Sequence, residues 1–118
     1  LGAAFKPDSD DVRDSPALDI AVQISEAGAN VVVHDPKAIA NAKKRFPALG
    51  FEADIETCVA NADVILHLTE WKIYRELDPI KLKSLVAHPI IIDGRNALDS
   101  DRWIKAGWKF RALGRATR

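Results

Sequence analysis

The sequence has 118 residues, Lys+Arg 17 balanced by Asp+Glu 17, and 47% apolar composition. That describes one domain able to bury a core, too apolar for a disordered chain and too neutral for a general nucleic-acid binder. A single cysteine excludes a disulfide framework or a Cys-rich zinc site, and the apolar runs are too short for a membrane span or a secretory leader.

The expectation is a soluble, cytoplasmic protein with neither nucleic acid nor membrane as partner. With Leu1 at its start, no methionine and a strand-like opening, the chain reads as a piece of something longer, residues 1–118 forming one domain of it.

Taken in chain order, Ala3-Ala4-Phe5 is an apolar run expected to form a first strand, and a polar loop follows from Lys6 to Asp14. Ser15-Pro16 is a helix start, with Ser as N-cap and Pro where a missing N–H is harmless. Ala17, Ile20, Ala21, Ile24 and Ala27 make one apolar stripe at helical spacing, and Gly28 supplies a left-handed stop. Val31-Val32-Val33 predicts a second strand, and Asp35-Pro36 starts a helix from Lys37 to Phe46. Asp54 precedes a short helix bearing Ile55, Cys58, Val59 and Ala62, and Val64-Ile65-Leu66 predicts a third strand. Asp78-Pro79 opens a helix through Leu85, and Ile90-Ile91-Ile92 predicts a fourth strand. Asp99 or Ser100 caps a last helix closed by Gly107, and Lys109 to Leu113 alternates like an edge strand.

Apolar runs that are continuous rather than alternating fit strands covered on both faces. Their alternation with helices predicts an α/β fold: a three-layer α/β/α, Rossmann-like domain with a mostly parallel sheet of about five strands. In such sheets ligands bind beyond the carboxyl ends of the strands. There the sequence places Lys6 to Asp14, His34-Asp35-Pro36, Thr69-Glu70-Trp71 and Asp93-Gly94-Arg95-Asn96. Lys6 and Arg95 at strand ends suit a phosphate group, Arg as a bidentate fork and Lys as a point charge. The alternative is that Lys6 and Arg13 only neutralise Asp8, Asp10, Asp11 and Asp14.

Neither a G-x-G-x-x-G turn nor a Walker loop occurs, so the first-turn dinucleotide grip is missing. Asp35 stands where a ribose-binding acid would, but an N-cap role for the Pro36 helix explains it better. Cys58 reads as a small core residue rather than a nucleophile, and His34 and His67 as structural ends of buried strands. Trp103 and Trp108 read as core, Trp71 as facing either core or ligand, and Lys43-Lys44-Arg45 as a solvated helix face. A receiver-like signalling domain would need an acidic pair at the first strand, which is absent.

The run Ala4-Phe5-Lys6-Pro7-Asp8-Ser9-Asp10-Asp11-Val12-Arg13-Asp14-Ser15-Pro16 resembles the signature opening the C-terminal, nucleotide-sugar-binding domain of the UDP-glucose/GDP-mannose dehydrogenases. His34-Asp35-Pro36, Thr69-Glu70-Trp71, Asp93-Gly94-Arg95-Asn96 and the closing Gly107 to Gly114, leading into Arg115, agree with it in order and spacing. The resemblance, nearest to the UDP-glucose-oxidising members, implies that Phe5 and Lys6 contact the UDP-sugar and that Arg95 contacts its nucleotide part. It implies that Arg13 reaches an NAD held mainly by a preceding N-terminal domain of the same parent chain, itself expected to be a homo-oligomer. Cys58 does not match the family's catalytic cysteine motif. The resemblance therefore implies no catalytic residue and no metal ligand within these residues, and no catalysis by them alone.

Overall fold

The computed structural model describes residues 1–112. Its elements in chain order are α1 (Pro16–Glu26), β1 (Val32–Val33), α2 (Ile39–Arg45), β2 (Gly50–Phe51), α3 (Ile55–Val59), β3 (Ile65–His67), α4 (Lys72–Arg75), α5 (Pro79–Lys83), β4 (Ile90–Asp93), α6 (Ser100–Lys105) and β5 (Lys109–Ala112). All strand pairs are parallel: β1 with β2, and β3, β4 and β5 in that order. This is the α/β, Rossmann-like arrangement that the alternation predicts.

The expected first strand differs. Ala3 to Phe5 form no strand, and the pairing falls on the two residues before them. Gly2 donates to the His34 carbonyl at 2.7 Å, and the Leu1 carbonyl accepts from Leu68 N–H at 2.9 Å, so the Leu1-Gly2 backbone bridges the two sheets. The cause is local. Gly2 has φ +104°, and a Cβ there would sit 2.5 Å from Thr69 Cβ, so the chain turns at a glycine that nothing larger can replace. Beyond the turn, the N–H groups of Ala3 and Ala4 point at the Asp35 carboxylate instead of a neighbouring strand.

β2 and α4 escape sequence reading because they are only two and four residues long. Leu113-Gly114-Arg115 lie outside the described residues.

The caps mostly follow the sequence. Ser15 Oγ accepts from Leu18 N–H, Asp54 from Thr57 N–H, Asp78 from Ile80 N–H and Asp99 from Arg102 N–H. Asp35 is the exception: α2 starts at Ile39 with Ala38 as an uncapped N-cap. The stripe on α1 is also rotated, because Leu18 is buried with Ala17 and Ala21 while Ile20 is exposed.

Two cores result. One gathers Ala3, Ala4, Leu18, Val33, Trp71 and Tyr74. The other gathers Ile65, Leu82, Ile91, Trp103, Trp108 and Phe110. Trp103 and Trp108 meet edge-to-face at 4.9 Å, a geometry worth about 0.5–1.5 kcal/mol beyond area burial. Trp108 Nε1–H donates to the Pro79 carbonyl, so its one polar atom is satisfied.

Candidate functional site at the carboxyl edge of the strands

Parallel pairing puts every strand-following loop at one edge. Two buried aspartates shape that edge. Asp35, after β1, accepts from Ala3 N–H, Ala4 N–H and Trp71 Nε1–H on Oδ2, and from Lys37 and Ala38 N–H on Oδ1. It is thus neither an N-cap nor exposed to a ribose; it is a five-donor hub rooting the opening loop. Trp71 is settled on the core side, since its ring is buried and its N–H belongs to that hub.

Asp93, ending β4, accepts from His67 Nδ1–H and Arg95 N–H on Oδ1, and from Ala97 and Leu98 N–H on Oδ2. Burial alone would raise its pKa. The His67 hydrogen bond and the Leu98 and Arg95 N–H groups outweigh that and hold it at about 2. His34 and His67 are structural, as expected from their positions. Tyr74 donates its hydroxyl proton to the His34 carbonyl and stands 2.8 Å from His34 Nδ1, while its ring meets the His67 ring edge-to-face. Burial, ahead of the nearby amino terminus, lowers the His34 pKa.

The opening loop projects from this base. Thr69 Oγ–H donates to the Ala4 carbonyl, Ser15 Oγ–H to the Ala3 carbonyl, and Phe5 N–H to the Asp11 carbonyl. Immediately past these clamps Phe5 is half exposed, and Lys6 is exposed with no ion pair among the described residues. Asp8, Asp14 and Asn96 adopt left-handed backbone with φ of 63°, 53° and 57°, all in the loops of this edge. Asn61, at the opposite end of the strands, does the same with φ 60°, and Asp and Asn enter this region more readily than other non-glycine residues.

The predicted basic residues divide. The Phe5-Lys6 loop, Glu70 and Arg95 follow neighbouring strand positions and share the edge. Arg95 does not face solvent as a free fork: Nε–H and Nη2–H donate to the two oxygens of Glu70, at 2.5 and 3.3 Å. Glu70 is therefore the residue that sequence reading missed as a partner, although an acid and a base at adjacent strand ends were visible in Thr69-Glu70-Trp71 and Asp93-Gly94-Arg95. Arg95's hydrogen bond draws the Glu70 pKa down.

Arg13 lies elsewhere. It pairs with Asp11 through Nε and Nη2, at 3.1 and 2.9 Å, and borders a shallow hollow with Asn41, Lys44 and Arg45 on α2. Of the two neutralisation partnerships weighed for Lys6 and Arg13, only Arg13's forms. Cys58 is half-buried at the other end of the strands; burial pushes its thiol pKa up, and its Sγ–H points at the Val32 carbonyl. No helix among the described residues is long and apolar enough to cross a membrane.

These features define a parallel α/β domain whose charged loops, with Lys6, Arg13, Glu70 and Arg95, leave the carboxyl ends of the strands. The chain belongs to the UDP-glucose/GDP-mannose dehydrogenase family: the model of that family's UDP binding domain matches residues 1–100.

A UDP-glucose 6-dehydrogenase of Rhizobium meliloti (strain 1021) is 38% identical over 115 residues, 98% of this chain and 26% of that protein. One of Bacillus subtilis (strain 168) is 37% identical over 98% of this chain and 25% of its own length. Among solved structures, an NDP-N-acetyl-D-galactosaminuronic acid dehydrogenase from Methanosarcina mazei Go1 superposes with a TM-score of 0.84 at 36% identity, covering 98% of this chain and 24% of that one. A UDP-glucose dehydrogenase from Pyrobaculum islandicum gives 0.80 at 28%, with 98% and 24% covered. The chain spans about a quarter of the length of these relatives.

Proposed function

We propose that this chain is the UDP-binding part of an NAD-dependent UDP-glucose 6-dehydrogenase that oxidises UDP-glucose to UDP-glucuronate. The supporting observation is the family match over residues 1–100, together with the Thr69 bond to Ala4 that roots the Phe5-Lys6 loop one residue from the Glu70–Arg95 pair. Lys6 offers an unpaired ammonium to a phosphate, Arg95 a guanidinium already posed by Glu70, and Phe5 an exposed ring for the base or sugar. Fixing the remote nucleotide orients the sugar at a reacting centre supplied by the rest of the parent, and such positioning is worth several kcal/mol.

NAD, when bound by the parent, accepts the hydride. The described residues offer it the exposed guanidinium of Arg13 and no glycine-rich grip, so in this reading they reach the cofactor but do not hold it. The parent's N-terminal domain is the partner that holds it, and the nucleophilic cysteine also lies outside this chain, since Cys58 sits at the opposite strand ends with a suppressed thiolate. The parent is a cytoplasmic homo-oligomer in this reading.

A second reading changes only the sugar: the likeness to the Methanosarcina enzyme and to a UDP-D-ManNAc dehydrogenase from Pyrococcus horikoshii (29% identity, TM-score 0.79) favours an N-acetylhexosamine nucleotide. Titrating the parent with UDP, UDP-glucose and UDP-N-acetylmannosamine, each with Lys6→Ala beside the wild type, tests both. UDP affinity should fall about tenfold in Lys6→Ala, as for one charge-assisted contact. Unchanged UDP affinity would remove Lys6 from the site, and the order of the two sugars decides between the readings.

A further inference from the structure

His67 ends β3 directly opposite Asp93 of β4, and neither side chain has any surface in solvent. Asp93 is held ionised, with its pKa at about 2, and can only accept. The hydrogen between the two therefore lies on His67 Nδ1, 2.8 Å from Asp93 Oδ1. The other ring nitrogen, Nε2, is buried without a hydrogen-bond partner among the described residues. A polar atom buried in that way weakens a fold, and an apolar side chain of similar volume avoids the cost. The bond to Asp93 is what a histidine supplies here and a leucine would not.

The ring is braced for that bond. Tyr74 meets it edge-to-face with centroids 5.7 Å apart, and the Tyr74 hydroxyl is itself fixed on the His34 carbonyl at 3.0 Å. On the other side, Asp93 Oδ1 also accepts from Arg95 N–H at 3.0 Å, while Oδ2 takes Ala97 and Leu98 N–H. Those backbone donors belong to the loop that Asp93 starts and move with it. Only His67 holds the carboxylate from another strand. The same two segments meet again at the surface, where Glu70, three residues past His67, takes the Arg95 guanidinium. That outer pair is partly exposed and a weak constraint by itself. The buried pair is the stiffer one, because no water competes for its bond.

We infer that His67 is a positioning residue for nucleotide binding: by fixing the Asp93 carboxylate from the neighbouring strand, it sets the Arg95 backbone and so the direction in which the guanidinium leaves toward Glu70 and a phosphate. The inference rests on the reading of Arg95 as a UDP contact. It gives His67 no contact with the ligand and predicts an effect transmitted through Asp93.

Variants of the parent chain test it. Asparagine at position 67 puts an amide N–H close to where Nδ1–H stands, and glutamine carries the same group one bond further out. UDP affinity, read by titration, should fall about fivefold in His67→Leu and His67→Gln, the worth of roughly one hydrogen bond, and stay within about twofold of wild type in His67→Asn. Without ligand, the Arg95 amide should exchange about fivefold faster in the leucine and glutamine variants, with the Ile92 amide inside the β3–β4 ladder unchanged. Tyr74→Phe removes a buried hydroxyl from the same core, keeps the ring against His67 and should leave UDP affinity as it is.

An Arg95 amide rate unchanged in both the leucine and glutamine variants overturns the inference. So does a His67→Asn variant as weak for UDP as His67→Leu, or an equal loss in Tyr74→Phe, since the cause is then a loosened core. If His67→Leu does not fold, the other two decide, and equal UDP affinity in His67→Asn and His67→Gln overturns it. Arg95→Ala separates the two levels. If it leaves UDP affinity unchanged, the reading of Arg95 as a UDP contact fails, and the Arg95 amide rate alone decides whether His67 positions that residue.

Discussion

Asp35 and Asp93 follow two strands of the same edge, and both are buried carboxylates wrapped in donors, but they do different work. Asp35 gathers five donors from three separated segments, residues 3–4, 37–38 and Trp71, and so stitches the β1–β2 side to the opening loop. Asp93 gathers four, three of them from the loop it starts and one from His67 on the neighbouring strand. The first holds the molecule together across the line where its two sheets meet. The second sets the pose of Arg95. A buried carboxylate at a strand end is thus read by what its donors connect, not by where it stands in the fold.

The sharpest way to break that distinction is Asp35→Ala. It strands five donors, and each buried one left unsatisfied costs about 1–3 kcal/mol. A loss of about 4 kcal/mol or more is expected, a large share of a domain's stability, read by urea unfolding. Asp35→Asn keeps one oxygen and should lose roughly half as much. A cost below about 1 kcal/mol for the alanine variant would mean that the stitch is dispensable.

Asp93→Asn comes next, at about 2 kcal/mol near neutral pH, and it carries a pH signature. Asp93 sits at about 2 against an ordinary value of 3.8, so its stabilisation is complete above 3.8 and is lost as pH falls toward 2. The gap between wild type and Asp93→Asn should therefore close between about pH 4 and pH 2. His34, depressed chiefly by burial, loses stability in a separate window beginning below its ordinary 6.5, and that loss is common to both proteins. A gap that stays constant down to pH 2 would show that Asp93 is not favoured in its charged form by His67.

How much of this was legible beforehand follows the same division. Strands β3 and β4 announced themselves because Ile65 and Ile90-Ile91-Ile92 lie in unbroken apolar runs between capped helices. Arg95 and the loops of the edge were legible because parallel topology alone sends strand-following residues to one side. Asp35's true role was not, since its partners at Ala3, Ala4 and Trp71 are some thirty residues away and chain order gives no distance between them. The opening strand was misplaced because Ala3-Ala4-Phe5 has the composition of a strand while Gly2, pressed against Thr69, decides where the chain turns. Leu18 replaced Ile20 on the buried face of α1 because a stripe of five small or branched residues leaves the helix rotation free until its neighbours are known.

The two arginines carry the contrast to its smallest effects. Arg95 is fixed from both ends, its backbone N–H on Asp93 and its guanidinium on Glu70. Arg95→Ala in the parent should weaken UDP by roughly 10- to 100-fold, the worth of a lost charged hydrogen-bond pair. It should leave the fold within about 1 kcal/mol, because the Glu70 pair is partly exposed. Glu70→Gln, which keeps the shape but not the charge, separates posing from competition. Weaker UDP binding means that Glu70 aims the guanidinium, and tighter binding means that it stood in the phosphate's place.

Arg13 is tied only to Asp11, two residues back in its own loop, with 78% of its side chain in solvent. It borders α2 rather than the Glu70–Arg95 pair, so it can turn toward a ligand without disturbing that pair. Arg13→Ala should raise the KM for NAD by a few-fold, about 1 kcal/mol, and leave UDP affinity within a factor of two. If UDP binding falls instead and the NAD constant stands, the two arginines serve one ligand, and the separation drawn between the two ends of this edge is wrong.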